Sequence, residues 1–148
     1  MCRKYGAHLC YTPMIHSKIF NEEPKCRAKY FVANPKDRPL FVQFAANDPK
    51  TLLEAAFRVQ NHCDAVDINL GCPQKIASKG NYGSFLLDNQ LDLVIRMVST
   101  LKKHLKIPVT CKVRCLKTEK ETLYMAKEIE KAGASILTVH GRTRHHNK

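Results

Sequence analysis

Five short β-rich runs punctuate this chain, separated by helical or irregular windows. They lie at residues 7–12, ending at Pro13, and at 40–44, 65–69, 107–113 and 135–140. Residues 21–36 are polar and aperiodic, and read as an irregular or partly helical connection. Asp48 is a good N-cap and Pro49 suits a first helical position, so a helix opens there. Its Leu52, Ala56, Val59 and Cys63 recur on one face. Residues 88–105 set Leu91, Val94, Ile95 and Val98 on one side of a second helix. Thr118 and Glu121 make a capping-box pattern ahead of a third. That helix carries Thr122, Met125, Ala126, Ile129 and Ala132 on one face and stops at Gly133. Strands joined by helical crossovers pair in parallel under a helical cover.

Two α/β architectures satisfy this pattern: an open doubly wound sheet and a (β/α)8 barrel. Gln43, Asn69, Lys112 and His140 stand at or near the C-terminal ends of four different strands. A barrel builds its site there, with several strands each giving one residue. An open sheet concentrates its ligand at one switch point, commonly with a G-x-G-x-x-G loop, and none occurs here. The barrel is favoured. A closed barrel needs eight strands and about 250 residues. Five strands in 148 residues therefore predict either an open sheet after all or a partial barrel.

Hydrophobic residues make up 44% of the chain and no tract is of low complexity, which predicts one globular domain over residues 1–148. Twenty-five Lys and Arg against 13 Asp and Glu give a charge of +12. Such an excess suits a polyanionic partner, nucleic acid first; a merely basic soluble surface is the plainer explanation. The seven cysteines are odd in number and form no C-x-x-C pair. Neither a disulfide framework nor a metal site is expected, and reduced thiols suit an intracellular setting. The first residues hold no apolar signal core, and no apolar run approaches membrane-spanning length.

The densest chemistry lies in residues 67–73, Asp-Ile-Asn-Leu-Gly-Cys-Pro. A strand-end amide, a tight turn at glycine and a cysteine before proline present a thiol at the rim. A free thiol has a pKa near 8.5, so at neutral pH Cys72 is suited to act as a general acid. A cysteine in a rigid turn is the structural alternative. Lys112 and Arg114 alternate on one side of an apolar strand, where a cation is costly unless paired or facing a ligand. A lysine reaching past the strand end explains the same residue equally well. His140 serves as a ligand or as a strand cap, with Arg142 and Thr143 close behind. Gln43 serves as a ligand or as a hydrogen-bonded core amide. Singly these readings are balanced; four together at successive strand ends point to a site.

These residues resemble the tRNA-dihydrouridine synthases, most closely the eukaryotic subfamily acting on the two early D-loop uridines. The likeness runs in order through residues 10–14, 42–44, 47–49, 67–74, 79–83, 109–114 and 138–143. It implies a barrel holding FMN at its C-terminal rim, recharged by NADPH or NADH, and a uracil flipped out of tRNA. Cys72 matches the family's proton donor. Gln43, Lys112 and His140 match its flavin contacts, and Asn69 looks like a ligand to flavin or base. Lys79, Arg114 and Arg142 look like substrate-side residues. The resemblance also implies a monomer in the full-length enzyme, tRNA and no membrane as partner, and a cytoplasmic or nuclear location.

The chain departs from the family at both ends. It matches about strands 2–6 of a partial TIM (β/α)8 barrel, lacking the first and the last two strands, and residues 144–148 diverge. Poor FMN binding and little turnover by these 148 residues alone are therefore expected. The competing readings are a non-catalytic RNA-binding or regulatory fragment, and a flavin-barrel dehydrogenase acting on a small molecule.

Overall fold

Side chains of a β-strand alternate between its two faces, and the strands here are polarised by that alternation. The computed structural model describes residues 2–32 and 34–146. In chain order it contains β1 (Cys10–Tyr11), β2 (Ile15–His16), α1 (Ser17–Glu22), α2 (Pro24–Tyr30), β3 (Leu40–Ala45) and α3 (Pro49–Val59). There follow β4 (Ala65–Leu70), α4 (Lys75–Lys79), α5 (Leu86–Asn89), α6 (Leu91–His104), β5 (Val109–Arg114), α7 (Glu119–Lys131) and β6 (Ile136–His140).

Every described strand pair is parallel, in the order β1-β3-β4-β5-β6, with β2 also on β3. The sheet curls into a half-barrel, as expected for a partial (β/α)8 fold. One face carries Val42 and Phe44, Val66, Ile68 and Leu70, and Val109, Cys111 and Val113, all buried in one core. Helices α3, α6 and α7 cover that face with Leu52, Ala55, Ala56, Val59, Val94, Met97, Val98, Leu101, Met125 and Ile129. Each Val, Leu, Ile, Phe or Met among them, fully removed from water, contributes about 1.5–3 kcal/mol. The other face carries Gln43, Asp67, Asn69, Thr110 and Lys112.

The first predicted strand, 7–12, is shorter than expected and resumes beyond the proline. Cys10 and Tyr11 align with Leu40 and Phe41, while Ile15 and His16 align with Phe44 and Ala45. Three residues, Thr12, Pro13 and Met14, thus sit opposite two, a one-residue bulge. The Thr12 hydroxyl oxygen accepts from the Gln43 N–H at 3.0 Å and keeps that backbone donor satisfied where the ladder breaks. Within 21–36 the chain is partly helical, as expected, with α2 over Pro24–Tyr30. The segment 88–105 is two helices separated at Gln90, and the buried stripe is Val94, Met97, Val98 and Leu101. Leu91 and Ile95 are only half-buried at its margin.

Both cap predictions are realised. The Asp48 carboxylate accepts from the Thr51 N–H at 2.7 Å, and the Thr118–Glu121 box is reciprocal, at 3.2 and 2.9 Å. Gly133 ends α7 with φ +109°, and a Cβ there would meet Lys102 of α6 at 2.5 Å. Of the divergent tail, Arg144 pairs with Asp88 and lies 4.6 Å over the Phe85 ring. Residues 147 and 148 lie outside the described residues.

Candidate active site

Lateral register, not proximity in sequence, assembles the polar row. Gln43 aligns with Asp67, and Asp67 with Thr110; one pleat further on, Asn69 aligns with Lys112, and Lys112 with Thr138. Arg114 and His140 align at the strand ends. Four strands therefore contribute to one concave rim.

The row is hydrogen-bonded along its length. Thr110 donates to Asp67 Oδ1 at 2.6 Å, and Gln43 Nε2 donates to Asp67 Oδ2 at 2.8 Å. Asn69 Nδ2 donates to Gln43 Oε1 at 2.8 Å. Asn69 Oδ1 in turn accepts from the backbone N–H groups of Gly71 and Cys72, at 3.1 and 3.0 Å. Asp67 and Thr110 have no solvent exposure. Burial pushes the Asp67 carboxyl above its ordinary range, against the pull of the Thr110 and Gln43 hydrogen bonds and the Lys112 charge.

Cys72 is held from three more directions. Its carbonyl oxygen accepts from the Ser84 N–H at 3.1 Å and from the Ser84 hydroxyl at 2.9 Å. Gly83, at φ +69°, lies against its backbone. The side chain of Arg114 donates through Nε to the Gly71 carbonyl at 2.7 Å and through Nη1 to the Thr143 carbonyl at 3.2 Å. Cys72 itself is half-buried and packs against the small cluster of Tyr82, Ala45 and Ala77.

Lys112, Arg114 and Arg142 surround His140. Loss of solvent, then the charges of Arg114, Lys112 and Arg142, hold its imidazole below the usual 6.5. An anion placed among these groups would relieve their mutual repulsion. Gln43 and Asn69 each retain one amide N–H beyond those used in the row. Charge and donors together fit a cofactor that is anionic and rich in ring acceptors, such as FMN.

Of the eight residues predicted from sequence, Gln43, Asn69 and Cys72 join one network, and Lys112, Arg114 and His140 flank it. Arg142 is exposed just beyond β6, its N–H bonded to the His140 carbonyl at 2.8 Å. Lys79 is exposed in the last turn of α4, and among the described residues no hydrogen bond or ion pair ties it to the row. The neighbouring Gly80 carbonyl is fixed by Asn47 at 2.9 Å. Asp67 and Thr110 were not singled out from sequence. The available signal was an acid two residues before Asn69, hence on the same face of an otherwise apolar strand.

A cavity of about 750 Å³ lies off the row, between α5 and α7, lined in part by Ser84, Asp88, Tyr124, Thr143 and Arg144; it meets the rim at Arg114 and takes in neither Cys72 nor the amides. Among the described residues no group of three or more His, Cys, Asp or Glu could hold a metal ion. No helix among them is long and apolar enough to cross a membrane.

Comparison with known proteins adds a separate line of support. Residues 1–148 match the family model described as dihydrouridine synthase (Dus). A Saccharomyces cerevisiae protein named tRNA-dihydrouridine(16/17) synthase (NAD(P)(+)) is 51% identical over 147 residues, covering 97% of this chain and 34% of its own length. A Rattus norvegicus protein named tRNA-dihydrouridine(16/17) synthase (NAD(P)(+))-like is 47% identical, over 97% of this chain and 33% of its own. A Homo sapiens tRNA-dihydrouridine(20a/20b) synthase-like protein is 41% identical, over 97% and 46%. The chain thus spans about a third of the length of the first two.

Proposed function

The chain belongs to the dihydrouridine synthase family, and from that premise we propose that it carries the central part of an FMN- and NAD(P)H-dependent tRNA-dihydrouridine synthase. The reaction is reduction of the uracil C5–C6 double bond of a D-loop uridine. Bound reduced FMN, recharged by NADPH or NADH, would supply a hydride to C6. Cys72 gives its thiol proton to C5, and the resulting thiolate is reprotonated from solvent. The observation that carries this reading is the position of Cys72: a half-buried thiol at a barrel rim, its backbone hydrogen-bonded on both sides.

The chain's other residues bind and orient. Lys112 and His140 hold negative charge at the rim, and Gln43 and Asn69 offer their spare N–H groups to ring acceptors. Arg114 braces the Cys72 turn and leaves Nη2 for a substrate oxygen or phosphate. Arg142 and Lys79, both exposed, are suited to the tRNA backbone, where cations supply affinity without reading sequence. An intracellular location and a monomeric state accompany this reading.

We infer that residues 1–148 alone bind FMN weakly and turn over little. Edge strand β6 leaves Ile136 and Val139 exposed at 45% and 50%, as in a sheet that has not closed. The test is the absorbance spectrum of the purified chain with added FMN, then an NADPH-dependent assay on unmodified tRNA with Cys72→Ala alongside. The expected result is little flavin binding, with dihydrouridine formed only by a longer form holding all eight strands and lost on Cys72→Ala. Activity in the longer form that survives Cys72→Ala would overturn the role given to Cys72.

The charge of +12 supports a second reading, a non-catalytic RNA-binding fragment. Salt-dependent tRNA binding by the chain without any flavin spectrum would favour it.

A further inference from the structure

Asp67 is a carboxylate with no exposure whose hydrogen-bond partners, Thr110 and Gln43, are neutral. Burying a carboxylate without a cation bonded to it is unfavourable, so its retention asks what an apolar residue there would lack. The answer lies in the sense of two amides. A Gln or Asn side chain has a donor end and an acceptor end of nearly the same shape. Asp67, as a carboxylate, only accepts, so the NH2 end of Gln43 turns toward it. Gln43 Oε1 is then turned toward Asn69, which must present its own NH2. The carbonyl of Asn69 is left facing the Gly71 and Cys72 N–H groups, which need an acceptor.

The geometry points to Asp67, seated by Thr110, as a positioning residue that fixes the direction of the Gln43–Asn69 amide relay and so holds the Cys72 turn. The inference rests on the reading of Cys72 as the proton donor only for its functional meaning. The relay itself is tested without flavin or tRNA, so the two fail separately. A Leu at position 67 accepts nothing and frees Gln43 to reverse. For an Asn at position 67, turning to accept from Gln43 and donate to the Thr110 hydroxyl is the orientation that leaves the Asn69 carbonyl on the Gly71 and Cys72 N–H groups, and so keeps the relay's direction.

The experiment is residue-resolved amide hydrogen exchange on the whole 148-residue chain. Asp67→Leu is expected to speed exchange at Gly71 and Cys72 about tenfold relative to Ile68 in the same strand. Asp67→Asn should leave that ratio within about twofold. Gln43→Met should reproduce the Asp67→Leu effect, and the double variant should add nothing further, as for residues acting in series. Should Asp67→Leu not fold, Gln43→Met carries the test alone. A uniform rise along β4 in Asp67→Leu, the mark of a merely structural carboxylate, would overturn the inference. So would unchanged protection of Gly71 and Cys72 in Gln43→Met, or an Asp67→Asn variant as labile as Asp67→Leu.

Discussion

A Cβ on Gly83 would stand 2.8 Å from the carbonyl oxygen of Cys72 and 3.0 Å from its Cβ. The backbone of one loop therefore seats the thiol-bearing turn of another. Any L-residue at 83 meets both this contact and a φ of +69°. The left-handed conformation alone costs about 1–2 kcal/mol, and the contact is with backbone, which yields least. Gly83→Ala should lower stability by at least that much in urea denaturation. An unchanged midpoint would mean that the two loops separate easily.

The thiols should react in a defined order. Cys63 and Cys111 are buried, and loss of solvent pushes the Cys63 thiol up to about 11 and that of Cys111 higher still. Relative to an ordinary thiol, Cys63 at pH 8 has roughly a hundredfold less thiolate, the reactive form. Iodoacetamide followed by peptide mass spectrometry should label half-buried Cys72 well before either. Early labelling of Cys111 in the folded chain would contradict its burial behind the helices.

His140 should titrate below 6.5 by NMR, because loss of solvent and then the cations around it disfavour a further charge. A lowered folded pKa contributes stability that is present above the unfolded value and is lost as pH falls through the folded one. The chain should therefore weaken as pH drops below about 6.5. Inorganic phosphate or FMN binding among Lys112, Arg114 and Arg142 should move the His140 titration upward. No movement in saturating phosphate would place the anion site elsewhere.

Asp67 has the opposite sign. Its folded pKa is raised by burial above the usual 3.8, so its contribution is fully present below that value and is lost as pH rises through the folded pKa. Asp67→Asn should gain stability relative to the parent between pH 4 and neutrality, measured by denaturant midpoints at matched ionic strength. A stability difference independent of pH would show that the folded pKa of Asp67 is not raised.

The order of the strands and of the three long helices was legible because α3, α6 and α7 carry their buried faces, and α3 and α7 their starts, within their own sequence. Asp48, Pro49 and Thr118 act on neighbours two or three residues away, and such signals survive without tertiary context. The bulge at Thr12–Met14 was not legible, since it depends on how β1 and β2 align with β3. The break at Gln90 was hidden for a related reason: residues on both sides of it suit a helix, and only packing reveals two axes. Six of the eight candidate site residues join or flank one network, because strand-end polar residues in apolar runs are conspicuous. Asp67 escaped notice because its partners, Gln43 and Thr110, are 24 and 43 residues away. Lys79 was the reverse case, expected on the substrate side from the family resemblance and yet apart from the row in space.

The amide relay draws Gln43, Asp67, Asn69 and Thr110 from β3, β4 and β5, neighbours both along the chain and across the sheet. A growing polypeptide that has reached the end of β5 already contains Asp67, Thr110, Gln43, Asn69 and Cys72. Pairing three adjacent strands completes the relay, with no need for any strand after β5. Assembly of this rim thus needs three neighbouring strands alone, and is separable from the closure that would surround it.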